Sequence, residues 1–366
     1  MRYRLHPGTG QRQSEIGLGT AYLTSMGQHR AVELLTRAFA GGINFYDLAA
    51  AEAGAFEIFG AAFAGSMRRE VQYQIHFGAD YSSGAYGFSL NLEKVRRSVT
   101  WQLEKLKTDY IDFGFIHCQD EFRDWERYQE RGILDYLLTL KAQGVVRHLG
   151  LSSHTPEVAS RILTDVKGEI KLLMFSINPA YDYGQGEYAH GGVEERAALY
   201  RRCARDKVGI TVMKAFCGGQ LLDARLSPFK QALSVAQCLK YALDKPAVLT
   251  VIAGAQSLKE LEVLLNYDQE SDEALDYSVI GSFAPPEAHG KCVYCNHCRP
   301  CPRGLNVGLI NKYYDLAMQG DELAREHYRS LEHRAMECDA CGHCDRRCPF
   351  GVMQSERMHA IAAHLG

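Results

Sequence analysis

Eight cysteines after residue 290 carry the most specific chemistry in this chain. They form two runs, CVYCNHCRPCP (Cys292, Cys295, Cys298, Cys301) and CDACGHCDRRCP (Cys338, Cys341, Cys344, Cys348), each closed by a proline, Pro302 or Pro349. Two residues between successive thiolates let three sulfurs wrap one corner of an iron–sulfur cubane. The fourth cysteine, before proline, ligates the other cluster in two-cluster ferredoxins. The pattern predicts two [4Fe–4S] clusters, one on Cys292, Cys295, Cys298 and Cys348, the other on Cys338, Cys341, Cys344 and Cys301. The second run has the ferredoxin spacing throughout; the first closes on two intervening residues instead of three. Structural zinc is the competing reading, because C-x2-C pairs also build zinc ribbons. Zinc leaves the evenly spaced triplets and the shared Cys-Pro ending unexplained. His297 and His343 hold the same place in each triplet and read as flanking residues.

The first 285 residues supply reactive side chains singly, and what they can do depends on which elements gather them. Eight short apolar runs rich in β-branched and aromatic residues predict strands. They are EIGLGT from Glu15, INFYD from Ile43, VQYQIHF from Val71, YIDFGFIH from Tyr110, VRHLGLS from Val146, KLLMFSIN from Lys171, GITVMKA from Gly209 and AVLTVIAG from Ala247. Amphipathic helical stretches such as HRAVELLTRAFA and LEKVRRSVTWQLEKL lie between them. Strands and helices alternating over about 250 residues have the size and order of a (β/α)8 TIM barrel. A doubly wound sheet is the alternative, but no G-x-G-x-x-G turn follows the first strand. In a barrel, functional residues belong at strand C-terminal ends. Asp47, His76, His117, the Ser152-Ser153-His154 run, Asn178 and Lys214 all stand there. Cys118, next to His117, is expected to point away from the lumen because strand neighbours alternate.

The expected organisation is a barrel over 1–285 and a small α-helical, ferredoxin-like domain with two [4Fe–4S] clusters over 286–366. A net charge of −3 with no Lys/Arg cluster argues against nucleic acid as a partner. No run of 18 apolar residues suggests a membrane span, and the first residues do not read as a secretion signal. Twelve cysteines in a chain of this kind point to metal rather than disulfides, and to the cytoplasm.

These segments resemble the aldo/keto reductases, specifically the subgroup with a C-terminal 4Fe-4S ferredoxin-like domain. The likeness is carried by GINFYD at 42–47, LEKLKTDYIDFGFIH at 103–117, GVVRHLGLSSH at 144–154, VMKAFCGGQL at 212–221, VIAGAQSLKELE at 251–262 and the first cysteine run. The resemblance implies NADPH-dependent carbonyl reduction with an Asp, Tyr, Lys and His tetrad. The Asp corresponds to Asp47 and the His to His117. The place of the proton-donating Tyr is held by Glu52 and that of the Lys by His76, and the neighbouring Ala49-Ala50-Ala51 offers no other phenol.

The implied nicotinamide site is altered as well. Its Ser-Asn pair reads Ser152-Ser153, the basic residue after the strand-eight glycine, Gly254, reads Gln256, and a later Glu-Asn reads Glu262-Val263. Ser152 and Asn178 remain candidate contacts, and Lys259 is the nearest candidate for a 2′-phosphate. Weak or absent nicotinamide binding is therefore expected, with NADP(H) or a flavin both left open. Asp47, Glu52, His76 and His117, with His154 and Lys214 nearby, offer acid–base groups for a small carbonyl or hydroxyl, and sugar-like, substrate. Electrons would arrive one at a time through the clusters and a redox partner of ferredoxin or flavodoxin type. Two histidines with carboxylates are also a ligand set for a divalent metal at the barrel mouth. Hydride chemistry with a divergent tetrad, a redox-neutral radical or metal-assisted lyase or dehydratase, and a non-catalytic electron carrier are the remaining alternatives.

Overall fold

Eight parallel strands close into a barrel in the computed structural model, which describes residues 1–366. A hairpin of β1 (Tyr3–Leu5) and β2 (Arg12–Ser14) precedes it. The barrel opens with β3 (Ile16–Leu18), β4 (Phe45–Asp47) and β5 (Gln72–Phe77). A second hairpin, β6 (Ala79–Asp80) and β7 (Gly87–Phe88), interrupts the series. Then come β8 (Ile111–Ile116), β9 (Val146–Ser153), β10 (Ile170–Ser176), β11 (Gly209–Met213) and β12 (Val248–Ala253), with β12 pairing back onto β3. The eight apolar runs of the sequence are these eight barrel strands. Neither hairpin was visible in the pattern, because each strand is only two or three residues long.

The strands are buried on both faces, which is why they read as near-continuous hydrophobic runs. Phe45, Phe113, Phe115, Leu172, Met174 and Leu249 fill the interior, as layered side chains fill barrels of this type. The helices outside follow the 3.6-residue period. Gln28–Ala40 buries Ala31, Leu34, Leu35 and Ala38, which share one face. Leu92–Leu106 starts where the Asn91 side chain accepts from the Lys94 N–H. It passes so near Gly60 that a Cβ there would lie 2.0 Å from the Lys105 carbonyl oxygen. Only glycine permits that approach. At the base of β8, Asp112 takes Arg68 at 2.7 Å and the Tyr73 N–H at 3.0 Å, both buried.

The chain forms two compact units. The first comprises Met1–Ser176, Val208–Ala215 and Leu249–Gln269; the second comprises Ile177–Lys207, Phe216–Val248 and Glu270–Gly366. Compactness therefore does not follow a cut at residue 285: the segments after β10 and β11 group with the cysteine-bearing end. That second unit has its own core, in which Leu305, Val307, Ile310, Tyr328, Met358 and Ile361 surround Cys298 and Cys344. Its C-terminal part is helical, with Val307–Ala317, Glu322–Arg329, His343–Arg347 and Gln354–Leu365. No helix is long and apolar enough to cross a membrane.

Candidate active site and cysteine clusters

Parallel pairing aligns Asp47 of β4 with Gln74 of β5, and His76 of β5 with Phe115 of β8. Alternation along each strand then puts Phe45 with Asp47, Gln74 with His76, and Phe113 with Phe115 and His117 on the inner face. The phenylalanines fill the barrel, and the polar groups meet above them. Asp47 Oδ1 accepts from Gln74 Nε2 and lies 2.7 Å from His76 Nε2, and the Gln74–Asp47 distance is also 2.7 Å. His76 Nδ1 is 2.9 Å from His117 Nδ1. His117 Nε2 is 2.7 Å from the Tyr86 hydroxyl. The Thr211 hydroxyl donates to Gln74 Oε1 at 3.2 Å and fixes the amide's orientation.

Hydrogen bookkeeping gives this line of groups a direction. With Asp47 ionised, the first ring must donate from Nε2, which leaves His76 Nδ1 a lone pair. That atom accepts from His117 Nδ1–H, so His117 Nε2 is in turn an acceptor, and the Tyr86 O–H donates to it. The direction requires both imidazoles to be neutral. Burial holds His117 well below the usual histidine range, in the neutral state this direction needs. Burial pushes the Tyr86 phenol up to about 12, with Cys118 contributing.

Tyr86 arrives from the hairpin loop between β6 and β7. Its N–H donates to Ala51 O at 2.9 Å, and Ala53 N–H donates to Gly84 O at 2.9 Å. Glu52 pairs with Ala85 as an antiparallel bridge between these two bonds. Glu52 thus contributes backbone to the positioning of Tyr86, while its side chain is exposed and takes no place among Asp47, His76 and His117. The expected grouping of its carboxylate with Asp47, His76 and His117 does not form: the loop pairs through its main chain and leaves the side chain in solvent. Gly78, at φ +130°, lets the chain leave β5 here; a Cβ would lie 3.3 Å from His117 Cβ.

A second polar group occupies the rim between β8 and β9. Asp120 accepts from the His154 N–H at 2.6 Å, lies 2.9 Å from His154 Nδ1, and takes the Ser153 hydroxyl at 3.3 Å. Cys118 adopts φ 50°, its N–H donates to Ser152 Oγ at 2.8 Å, and its thiol donates to Asp120 at 3.7 Å. Strand alternation does not govern Cys118, because β8 ends at Ile116 and the left-handed turn redirects the side chain to the rim. Burial pushes its thiol up to about 12; Asp120 adds to this and Lys214 opposes it. Cys118, Asp120 and His154 place one ligand atom each within 4.8 Å of one another, close enough to share a cation. Of Asp47, Glu52, His76 and His117, the set expected to hold one, Asp47, His76 and His117 are instead hydrogen-bonded in a line and Glu52 is exposed.

The residues expected around a nicotinamide are engaged locally. Ser152 Oγ is bound by Cys118 and lies 3.3 Å from His117 Nδ1. In the second unit, buried Asn178 caps the short helix Pro179–Asp182 by accepting from Tyr181 N–H at 2.9 Å. Gln256 N–H donates to Glu260 at 2.9 Å, and Tyr22 leans over Gly254, where a Cβ would meet its ring at 3.1 Å. Glu262 pairs with Arg37, and Lys259 is exposed on its helix. This set supplies no basic cradle for a 2′-phosphate.

The eight cysteines of the two C-terminal runs gather around two small cavities. Cys292, Cys295, Cys298 and Cys348 line one. Cys301, Cys338, Cys341 and Cys344 line the other. Both runs coil the same way: Tyr294 and Asn296 in the first, and Ala340 and Gly342 in the second, have positive φ at matching places. That left-handed turn between thiols makes the sulfurs converge. Burial pushes Cys292 up to about 11 and Cys295 up to about 12. Val352 N–H donates to Cys348 Sγ at 3.4 Å, a contact suited to a ligating sulfur. His297 turns instead to Asp276 and Ser278, with its Nδ1 2.5 Å from the Asp276 carboxylate. All twelve cysteines are free of disulfides.

Sequence reasoning missed three of these residues. Gln74 was findable, since it lies two positions before His76 and therefore on the same face. Asp120 and Tyr86 sit in loops with no periodicity to mark them.

Residues 15–231 match the aldo/keto reductase family, and residues 291–353, which hold all eight clustered cysteines, match a 4Fe-4S dicluster domain. L-Galactose dehydrogenase of Arabidopsis thaliana is 25% identical over 288 residues, covering 69% of this chain and 84% of its own. An uncharacterised oxidoreductase of Bacillus subtilis is 26% identical over 273 residues, covering 68% and 85%. Among solved structures, the holo form of an aldo-keto reductase from Bacillus halodurans superposes with a TM-score of 0.61 at 20% identity, over 78% of this chain and 97% of that one. A putative aldo-keto reductase from Pseudomonas aeruginosa gives 0.57 at 25% identity, over 73% and 95%.

Proposed function

The chain belongs to the aldo/keto reductase family and carries a 4Fe-4S dicluster domain, and we propose that it oxidises or reduces a small sugar-like hydroxyl or carbonyl compound with Tyr86 at the head of a proton relay. It is an oxidoreductase of aldo/keto reductase type; the substrate and the relay are our reading. The observation that carries this reading is the unbroken line Tyr86–His117–His76–Asp47, each link at 2.7 to 2.9 Å.

The relay is set to take a proton from a substrate hydroxyl. As the substrate O–H proton moves onto the Tyr86 oxygen, the phenol's own proton passes to His117 Nε2. His117 Nδ1–H passes to His76 Nδ1, and His76 Nε2–H passes to Asp47. Every ring regains one hydrogen, and a carboxylic acid replaces the carboxylate. Oxidation also requires the carbon-bound hydrogen to leave, as a proton to water at the mouth and as two electrons that the clusters would take one at a time; carbonyl reduction runs all of these transfers backwards. The two imidazoles avoid a charged intermediate in a buried site, where an unpaired cation is costly. Tyr86 is 42% exposed, so the head of the relay is open to a ligand at the mouth.

Two [4Fe–4S] clusters, held by Cys292, Cys295, Cys298 and Cys348 and by Cys338, Cys341, Cys344 and Cys301, would supply or accept electrons one at a time. Residues 1–285 would then carry the proton chemistry and 286–366 the electron path, with a ferredoxin or flavodoxin type of protein as external partner. Free thiols in this number suit the cytoplasm. L-Galactose dehydrogenase among the relatives favours a sugar-like substrate. A divalent cation on Cys118, Asp120 and His154 is a second reading, favoured by their mutual distances; it would add Lewis-acid polarisation of the substrate oxygen.

The test is an anaerobic panel of aldoses, sugar alcohols and lactones against cluster-loaded protein without nicotinamide. At least one should bleach the iron–sulfur absorbance. If none does, while NADPH is consumed with ordinary aldehydes, conventional hydride transfer replaces the proposal.

A further inference from the structure

A cavity of about 320 Å³ lies wholly within the second unit, with Cys292 in its wall. Its volume falls within the range of small-molecule sites, about 300–1,000 Å³. Five cationic and three acidic side chains line it, together with the rings of Tyr183, Tyr200, Tyr241 and Tyr294. Most of the charge is accounted for. Arg196 pairs with Asp182 at 2.7 Å, Lys291 with Glu194 at 2.8 Å, Arg201 also with Glu194, and Arg357 with Asp315.

Lys245 is the exception. It is 7% exposed, its ammonium sits 3.8 Å over the Tyr241 ring, and no carboxylate stands within ion-pair distance of it. Burial lowers its affinity for a proton. Two further polar atoms on the same wall, the Tyr183 hydroxyl and Arg201 Nε, are buried without hydrogen-bond partners. Buried polar groups are normally satisfied, and the Lys245 ammonium has the charges of Asp182, Asp244, Cys295 and Cys292 around it but none at ion-pair distance. Two unsatisfied atoms and an ammonium with no ion pair on one cavity wall mark where an anionic ligand group would sit, and tyrosine rings stack well on a flat partner.

We infer that this cavity binds a planar aromatic ligand bearing an acidic group, with Lys245 taking the acid and the tyrosines the ring. Because Cys292 forms part of the wall, a redox-active ring of the flavin class fits the position best. That last step rests on the proposed role of Cys292 in holding a cluster.

Flavin mononucleotide and riboflavin are the probes, since they share a ring and differ by the phosphate. In anaerobic titrations of cluster-loaded protein followed by flavin fluorescence, one flavin mononucleotide should bind per chain, at least about tenfold tighter than riboflavin. Lys245→Met should bring the two affinities together, Lys245→Arg should keep most of the difference, and Tyr86→Phe should leave both unchanged. Equal affinities in the unaltered protein, no binding of either, or binding lost with Tyr86→Phe and kept with Lys245→Met would each overturn the assignment. Iron measured on the same sample separates the two readings. Full iron without flavin binding removes the cavity assignment alone; flavin binding with zinc in place of iron removes the cluster reading alone.

Discussion

Tyr86 reaches His117 from a hairpin loop, its hydroxyl 2.7 Å from Nε2, although the two residues are 31 positions apart and share no regular element. The position where the family places its phenol holds Glu52, and it is the Glu52–Ala85 backbone bridge that brings Tyr86 in. In the proposed relay the phenol comes from the other side of that bridge.

Tyr86→Phe should therefore lower turnover by roughly 10²–10⁴, the usual worth of a positioned proton donor, with a smaller change in KM. Glu52→Gln should change turnover by no more than about twofold, as an exposed side chain does. Steady-state kinetics of both variants checks this. The reverse ranking would return Glu52 to the reacting centre.

The crossed cysteine sets make a double variant informative. Cys298 and Cys348 line the same cavity, so Cys298→Ser/Cys348→Ser should lose one cluster and keep about four of about eight irons. Each run serving its own cluster would instead cost both. Iron and sulfide assays on anaerobically purified protein decide between them.

Nicotinamide should bind weakly, since Ser152 and Asn178 are engaged in local bonds, neutral Gln256 stands where the basic contact is expected, and only exposed Lys259 could meet a 2′-phosphate. Calorimetry with NADPH and NADH measures it directly. Micromolar or tighter affinity for NADPH would restore ordinary carbonyl reduction.

His6 should make the fold acid-sensitive. It is fully buried, its Nε2–H donates to Lys171 O at 2.7 Å, and Nδ1 accepts from Gly8 N–H at 3.0 Å. A second ring proton would displace that acceptor, and burial lowers the pKa from 6.5 to about 4. The unfolded chain then binds the extra proton more readily, so stability is full above about 6.5 and falls as pH drops toward 4. The loss approaches about 3 kcal/mol at the acid end. Urea melts across this range should show the slope in the unaltered protein and a flatter one in His6→Gln.

The sequence by itself determined the barrel, its eight strands and the two cysteine quartets. Each of these follows from a local rule: strand burial writes continuous apolar runs, and cubane ligation demands fixed spacing. The partners of His76 and His117 came only with the tertiary structure. Tyr86, Asp120 and the outward Glu52 lie in loops, whose course is set by a few main-chain bonds to distant segments and leaves no period to read. The cavity around Lys245 is of the same kind, since its walls come from segments separated by more than a hundred residues. A pattern along the chain records what each residue needs locally; only closure of the chain decides which distant group meets that need.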